Sequence, residues 1–406
     1  MYDSAQKLRA KIIADSDRCV MCGLCLPHCP TFNIERNEAD SPRGRVLLAK
    51  AIAKQQLKAD EDARTHLESC LHCLHCERVC PAKVPYGELI DNIKHYLHQE
   101  QQTTPLPLWL KLVIISRQLR FLFALFIKLY QYSGIQAILR KWNLFKRSTV
   151  ASWDAMLAKR YHIPAVKPRP TIKPKYKTVT LFTGCVATIS DQNTLKATRE
   201  LLRAAGFKVQ SNNRQYCCGA IHQHVGDSEY AQHLMSKNSA AFKPDIPIVS
   251  CASGCGGRLQ QYDNEISTCH YDIHALLAEH AKHLVFRELS ETVALHTPCS
   301  MQNILKQQEM PKQLLSLIPN LSVVSLKSKT TCCGAAGIQI LQHQAQGNAL
   351  ADDTIDAMKK TNADILLTSN VGCAMHLRRR IWHRKLKYEV MHPVLLLYKQ
   401  LQTTKG

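Results

Sequence analysis

The residues best placed to do chemistry in this sequence are its cysteines. Four of them, Cys19, Cys22, Cys25 and Cys29, fall within eleven residues, and the same spacing returns at Cys70, Cys73, Cys76 and Cys80. Each run reads C-x2-C-x2-C-x3-C-P. Three thiolates at three-residue steps can reach three corners of one 4Fe-4S cube, while the displaced fourth points toward a neighbouring cube. Each cluster then borrows one ligand from the other run: Cys19, Cys22, Cys25 and Cys80 for the first, and Cys29, Cys70, Cys73 and Cys76 for the second. Pro30 and Pro81, which lack a backbone N–H, turn the chain out of each site.

Disulfides and zinc are the competing uses of so many thiols. A disulfide framework belongs to short secreted chains, whereas this chain has 406 residues and 18 cysteines. It opens without an apolar leader, so export is not expected. Structural zinc takes two ligand pairs separated by a dozen or more residues, and the close triplet with its trailing cysteine supplies one thiolate too many. The doubled spacing therefore favours iron and sulfide. His72 and His75 alternate with the second run, but four thiolates already complete a cube, so both are expected beside the cluster or in solvent rather than on iron.

The formal net charge is +21, which raises nucleic acid or an anionic membrane surface as partners. About two thirds of the excess lies in residues 101–175, which hold fourteen Lys or Arg and one acid, Asp154. No base-reading module accompanies this charge, so nucleic acid is not expected. Within the segment, Leu106 to Tyr130 is apolar but broken by Lys111, Arg117, Arg120 and Lys128. Spanning a bilayer takes about 20 apolar residues with few charges, which these interruptions deny. On a helix Arg117, Arg120 and Lys128 fall in one sector of about 80°, leaving a wide apolar face with Trp109, Phe121 and Phe126. Such a helix can lie in a membrane interface or dock on another domain or subunit, and amphipathicity alone does not choose.

The elements that position the remaining cysteines begin after a proline-rich basic linker from Pro164 to Pro170. A buried strand is predicted from Thr178 to Thr183, ending at Gly184 and Cys185, then a helix from Asn193 to Ala205 stopped by Gly206. Cys217, Cys218 and Gly219 follow, then a strand from Ile246 to Ser250 that delivers Cys251 and Cys255. The series recurs. A strand from Val293 leads to Cys299, Cys332 and Cys333 precede Gly334, and a strand from Asp364 leads to Cys373. Duplication of an α/β unit explains both. Cys185, Cys217, Cys218 and Cys255 match Cys299, Cys332, Cys333 and Cys373, while Cys251 is answered by Ser369. Adjacent cysteines rarely bridge one another without distortion, yet both can ligate iron where glycine allows a tight turn. The bland alternative is buried cysteines packed as small hydrophobes; the duplicated pattern favours a further cluster shared by the halves, or one in each. Cys269 has no counterpart and is read as structural.

The doubled C-x2-C-x2-C-x3-C-P followed by duplicated Cys-Cys-Gly halves resembles the iron-sulfur subunits of membrane-associated 2-hydroxy-acid oxidases, above all those of glycolate oxidases, nearly end to end. Ser41, Pro42, Arg43, Gly44 and Arg45 look like that family's segment after the first cysteine run. Read alone, they are a helix start with Ser41 as cap and Pro42 in the first turn, and the two arginines could tune a cluster's potential. Pattern and resemblance together predict an α+β multidomain chain. An α-helical dicluster ferredoxin module covers 1–100, a basic amphipathic helical connector 101–175, and two similar α/β Cys-Cys-Gly domains 176–285 and 286–406.

The resemblance implies the electron-transfer subunit of a glycolate dehydrogenase complex, with no catalytic residue of its own. A partner flavin subunit would oxidise glycolate to glyoxylate, and electrons would pass through two 4Fe-4S clusters toward the quinone pool. It also implies a peripheral place on the cytoplasmic side of the inner membrane. No G-x-G-x-x-G between a strand and a helix offers a flavin or dinucleotide site, in keeping with that division of labour. The Cys-Cys-Gly halves also resemble those of heterodisulfide reductases, where such motifs carry unusual clusters. Through Cys251 the first half could assemble five thiols; with Ser369 the second has four, so disulfide chemistry is not expected there. The same architecture could serve a lactate or glycerol 3-phosphate oxidase, because substrate choice rests on the flavin subunit. A rival of a different class is a zinc-dependent nucleic-acid binder, colourless and salt-sensitive. His222, His224 and His296 are expected as polar groups at helix or strand ends, with a redox-linked proton role as the sharper alternative.

Overall fold

The structure, a computed structural model, describes residues 2–100, 103, 105–141, 149–159, 161–165, 178–281 and 284–402. Most of the linker expected up to Pro170 therefore lies outside the described residues. The chain forms two compact units, one of residues 1–107, 219–233 and 328–354, the other of residues 108–218, 234–327 and 355–406.

In the first unit the helices Tyr2–Asp17, Pro42–Ala53 and Tyr86–Gln99 pack on one another. Leu89, Ile90, Ile93 and Leu97 recur at helical spacing on the last of them and close a core with Ile12, Val46, Ala49, Ile52 and Leu67. Each large aliphatic side chain so buried contributes about 1.5–3 kcal/mol. The helix Pro42–Ala53 starts as expected, with Ser41 Oγ accepting from Gly44 N at 2.9 Å and Pro42 in the first turn. Glycine is required at 44, since a Cβ there would stand 2.0 Å from the Glu38 carbonyl oxygen.

The two cysteine runs share a backbone as well as a spacing. Met21 and Gly23 in the first, and His72 and Leu74 at the matched positions of the second, have φ of 56°, 80°, 49° and 59°. For a leucine this left-handed conformation costs about 1–2 kcal/mol, so the surrounding contacts must hold it. Left-handed residues in such loops build concavities of backbone N–H groups that suit anions.

The second unit holds two all-parallel four-stranded sheets of one topology. Strands β1 (Thr178–Phe182), β2 (Lys208–Ser211), β3 (Ile248–Ser250) and β4 (His270–Asp272) lie in the order β2-β1-β3-β4. Strands β5 (Thr292–His296), β6 (Ser322–Ser325), β7 (Ile365–Thr368) and β8 (Glu389–Met391) lie in the order β6-β5-β7-β8. The register repeats too: Thr180 pairs with Ile248, and Ala294 with Leu366. Central parallel strands are covered on both faces and so read as apolar runs, which is why β1 and β5 were legible. One apolar core serves both sheets, joining Val179, Leu201, Val249 and Leu276 to Val293, Leu315, Leu367 and Leu395.

In the basic connector the helices Leu108–Ile115 and Arg117–Tyr132 pack together, with Ser116 Oγ accepting from Leu119 N between them. The expected basic sector is divided. Arg117 and Lys128 are exposed, but Arg120 is buried and donates from Nη1 to the Ile114 carbonyl at 2.7 Å. That bond answers a carbonyl left open at the C-terminal end of the preceding helix. Phe121, Leu122, Phe126 and Leu129 are exposed. Among the described residues no helix is long and apolar enough to cross a membrane.

Candidate iron-sulfur sites

Cys29, Cys70, Cys73 and Cys76 line one cavity, walled by Pro30, Pro42, Leu71 and Leu74. Cys29 thus stands with the three leading cysteines of the other run. Cys29, Cys70 and Cys76 are buried and Cys73 half-buried. Polar groups also reach these sulfurs: Thr31 Oγ1 lies 3.2 Å from Cys29 Sγ, Tyr86 OH 3.7 Å from Cys70 Sγ, and Arg45 Nη1 4.0 Å from Cys29 Sγ. Arg45 is only 1% exposed. Its guanidinium donates to the His66 carbonyl, Thr31 Oγ1, Ser69 Oγ and Asp40 Oδ1 at 2.6, 2.9, 2.9 and 3.2 Å.

The thiols respond to this setting in opposite ways. Burial pushes Cys76 well above the ordinary range, and Cys73, Cys70 and Cys29 add to it. At Cys70 burial opposes ionisation, but the Arg45 and Lys94 cations outweigh it and hold the thiol below its ordinary value. Thiolate is the form that ligates metal, and the two cations favour that form at Cys70.

Of the other expected quartet, Cys19, Cys25 and Cys80 are half-buried against the helical core and Cys22 is exposed. Burial lifts the Cys25 thiol to about 11. Arg43 serves this run from the helix start, donating from Nη1 to the Met21 carbonyl at 3.3 Å and from Nε to Glu38 Oε1 at 2.6 Å.

Among the described residues, no three His, Cys, Asp or Glu side chains converge on a site for a single metal ion. A cube spreads its ligands over four iron atoms, whereas one zinc draws them to a point. The all-thiol donor set around the Cys29 cavity fits a 4Fe-4S cluster, which supplies one-electron exchange when bound. The chain's own part is to present thiolates, exclude water and set the surrounding charge.

In the second unit the sulfurs of Cys185 and Cys217 lie 3.3 Å apart. Cys217 is pushed far up by its sulfur neighbours Cys185 and Cys218, with burial adding, and Cys255 likewise by Cys218 and then burial. The four matched thiols of the first half therefore meet. Gly184, at φ +67°, leaves room for Cys255: a Cβ there would lie 3.4 Å from its sulfur. Cys251 is fully buried in the apolar core, where burial first and then Asp191 push it up to about 12, beside Thr198. Gly219 and Gly334 after the two cysteine pairs take φ of 84° and 72°, the tight turn the motif requires. In the second half Cys299 is half-buried and Cys332, Cys333 and Cys373 are buried. Cys332 packs with Leu71 and Leu350, with Cys73 at the edge of that cluster. Cys269 is half-buried, its thiol directed at the Ile266 carbonyl 3.6 Å away.

The histidines are tied down rather than solvated. His72 Nε2 stands 3.1 Å from Asp91 Oδ1 and 3.2 Å from the Gly87 carbonyl. His75 Nε2 is 3.3 Å from Thr331 Oγ1. His222 Nδ1 is 3.0 Å from Asp227 Oδ2, the His224 ring meets that of His72 edge-on at 5.3 Å, and His296 Nδ1 is 3.0 Å from Thr368 Oγ1.

Sequence reasoning missed several supporting residues. Asn238 donates to the Cys217 carbonyl at 3.0 Å and Tyr262 to the Cys218 carbonyl at 2.9 Å, so the cysteine pair is pinned through its backbone. Nothing local marks either. Lys94 did carry a signal: it falls four residues after Ile90 and three before Leu97, on the buried stripe of its helix.

Comparison with known proteins agrees with this geometry. Residues 15–84 match the model of a 4Fe-4S dicluster domain, and residues 179–260 and 293–378 each match that of a cysteine-rich domain. The chain is 30% identical to the probable glycolate oxidase iron-sulfur subunit of Bacillus subtilis, over 92% of this chain and 90% of that protein. It is 29% identical to the glycolate oxidase iron-sulfur subunit of Escherichia coli over 93% of each. Lactate utilization protein A of Bacillus cytotoxicus is 26% identical over 53% of this chain and 95% of its own length. With its helical two-cluster module and two cysteine-rich α/β repeats, the chain belongs to the family of glycolate oxidase iron-sulfur subunits.

Proposed function

We propose that this chain relays single electrons within a glycolate-oxidising complex. A flavin-bearing partner takes two electrons from glycolate, giving glyoxylate, and this chain carries them one at a time toward a quinone acceptor. Cys19, Cys22, Cys25 and Cys80 hold one 4Fe-4S cluster, and Cys29, Cys70, Cys73 and Cys76 the other. The observation that carries this reading is the cavity lined by Cys29 together with Cys70, Cys73 and Cys76, the exchanged ligand pattern of two-cluster ferredoxins. The gathering of Cys185, Cys217, Cys218 and Cys255 supports a further cluster in the first Cys-Cys-Gly half. The exposed apolar side chains of Arg117–Tyr132, within a segment of fourteen basic residues and one acid, support a peripheral place on the cytoplasmic face of the inner membrane.

Anaerobic purification with iron and sulfide analysis and low-temperature EPR tests the cluster assignment. About eight irons per chain are expected from the two runs alone, and more if the Cys-Cys-Gly halves are loaded. A pale, zinc-containing preparation would refute it. Copurification with a flavoprotein, and bleaching by glycolate, tests the substrate. The match to a lactate utilization protein over half the chain favours lactate as the second reading, and bleaching by lactate alone would select it.

A further inference from the structure

Lys94 is 2% exposed on the helix Tyr86–Gln99. Its ammonium donates to three backbone carbonyls, those of Glu68 at 3.3 Å, Cys70 at 3.4 Å and His224 at 3.3 Å. Among the described residues no carboxylate stands within ion-pair distance of it; Asp91, on the same helix, is engaged by His72 at 3.1 Å. The cavity beside it, lined by Glu68, Thr103, His224 and Gln339 among others, is about 20 Å³, room for a water. Burial pulls Lys94 below the ordinary lysine value, and the charges of Cys70, Asp91 and Glu68 oppose that pull; proteins retain a buried cation where it is paired or put to use. Its closest chemistry is Cys70, whose carbonyl it holds at 3.4 Å.

We propose that Lys94 is the internal counter-ion of the centre held by Cys29, Cys70, Cys73 and Cys76, and that its charge raises the reduction potential of that centre. The inference rests on the cluster assignment above. Four thiolates around an iron-sulfide core carry net negative charge. Reduction adds one electron, taken from the partner's reduced flavin or, in a titration, from dithionite, and neither makes nor breaks a bond. A fixed positive charge stabilises the more negative state more strongly, so reduction becomes easier. Thr31 Oγ1 and Tyr86 OH, 3.2 and 3.7 Å from the ligand sulfurs, act in the same direction. Arg45 contributes less than its charge suggests, because Asp40 lies 3.2 Å from it.

The test is an EPR-monitored redox titration of the anaerobically purified full chain, beside iron analysis, for wild type and for Lys94→Met, Lys94→Gln and Lys94→Arg. Substitution of the exposed ligand in Cys22→Ser marks the signal of the other centre. Both neutral variants should weaken electron uptake at the Cys70 centre by roughly tenfold or more, about 59 mV for one electron, leaving the other signal in place. Lys94→Arg should retain the wild-type midpoint. If the neutral variants instead lose about four irons per chain while Lys94→Arg keeps them, charge is again what the centre needs. An unmoved midpoint in loaded neutral variants overturns the proposal, as does equal loss of iron in all three, which would assign Lys94 a steric role. Absence of iron and of EPR signals from the wild type would instead sink the underlying cluster assignment.

Discussion

Cys19 to Cys29 and Cys70 to Cys80 share a spacing and the same left-handed positions, yet their surroundings differ. The first run leaves Cys22 exposed and has Arg43, half-solvated and paired with Glu38. The second buries Cys70 and Cys76 beneath Tyr86, Arg45 and Lys94. A short motif therefore specifies the loop, while its electrostatic setting comes from helices far along the chain. Two identically spaced cysteine runs come to stand in unequal surroundings.

The comparison can be broken most severely at the exchanged ligands. Cys29→Ser should abolish the centre shared with Cys70, Cys73 and Cys76 and spare the other, while Cys80→Ser should do the reverse. Each is expected to remove about four irons per chain, read by metal analysis and by which EPR signal survives. If Cys29→Ser instead removed the signal that Cys22→Ser perturbs, the runs would not exchange ligands.

The neighbouring arginines offer the next contrast. Arg45→Met takes the guanidinium from buried Asp40, leaving it only His66 at 3.0 Å and Ser69 at 3.1 Å, and should cost about 3–5 kcal/mol, visible as a lower denaturation midpoint. Arg43→Ala removes a part-exposed pair with Glu38 and should cost only about 0.2–1 kcal/mol, the smallest effect expected here. Equal costs would dissolve the distinction between buried and exposed settings.

Between these lies a pH effect that originates outside both runs. Burial lowers His270 and His296 from 6.5 to about 4. The unfolded chain therefore takes up protons first, and stability, full above about pH 7, falls as the pH drops toward 4. At about pH 5.5 each histidine should account for on the order of 1 kcal/mol. Replacing His296 with Asn should flatten its share of the slope in denaturation curves taken across that range. An unchanged slope would place the acid sensitivity elsewhere.

Much of this was legible because it is local. The C-x2-C-x2-C-x3-C-P steps, the cap at Ser41 and the apolar runs of β1 and β5 each declare themselves within a few residues. What stayed hidden depends on the fold. Asn238 and Tyr262 look like ordinary polar residues until the chain brings them to the carbonyls of Cys217 and Cys218. Arg120 looked like part of a solvated face because periodicity does not reveal that a preceding helix ends against it. Lys94 stands on an apolar stripe, but a stripe does not say which charge a lysine will meet.

The single interior beneath both sheets bears on how the duplicated half of the molecule can be dissected. Truncation at the repeat boundary would strip Pro393–Gln400 from Gln192–Ala204 and Met310–Leu315 from Ile273–His280, opening apolar surface on both fragments. Neither piece should remain in solution by itself. The repeats are two by descent but one by cooperativity, and melting should proceed through both together.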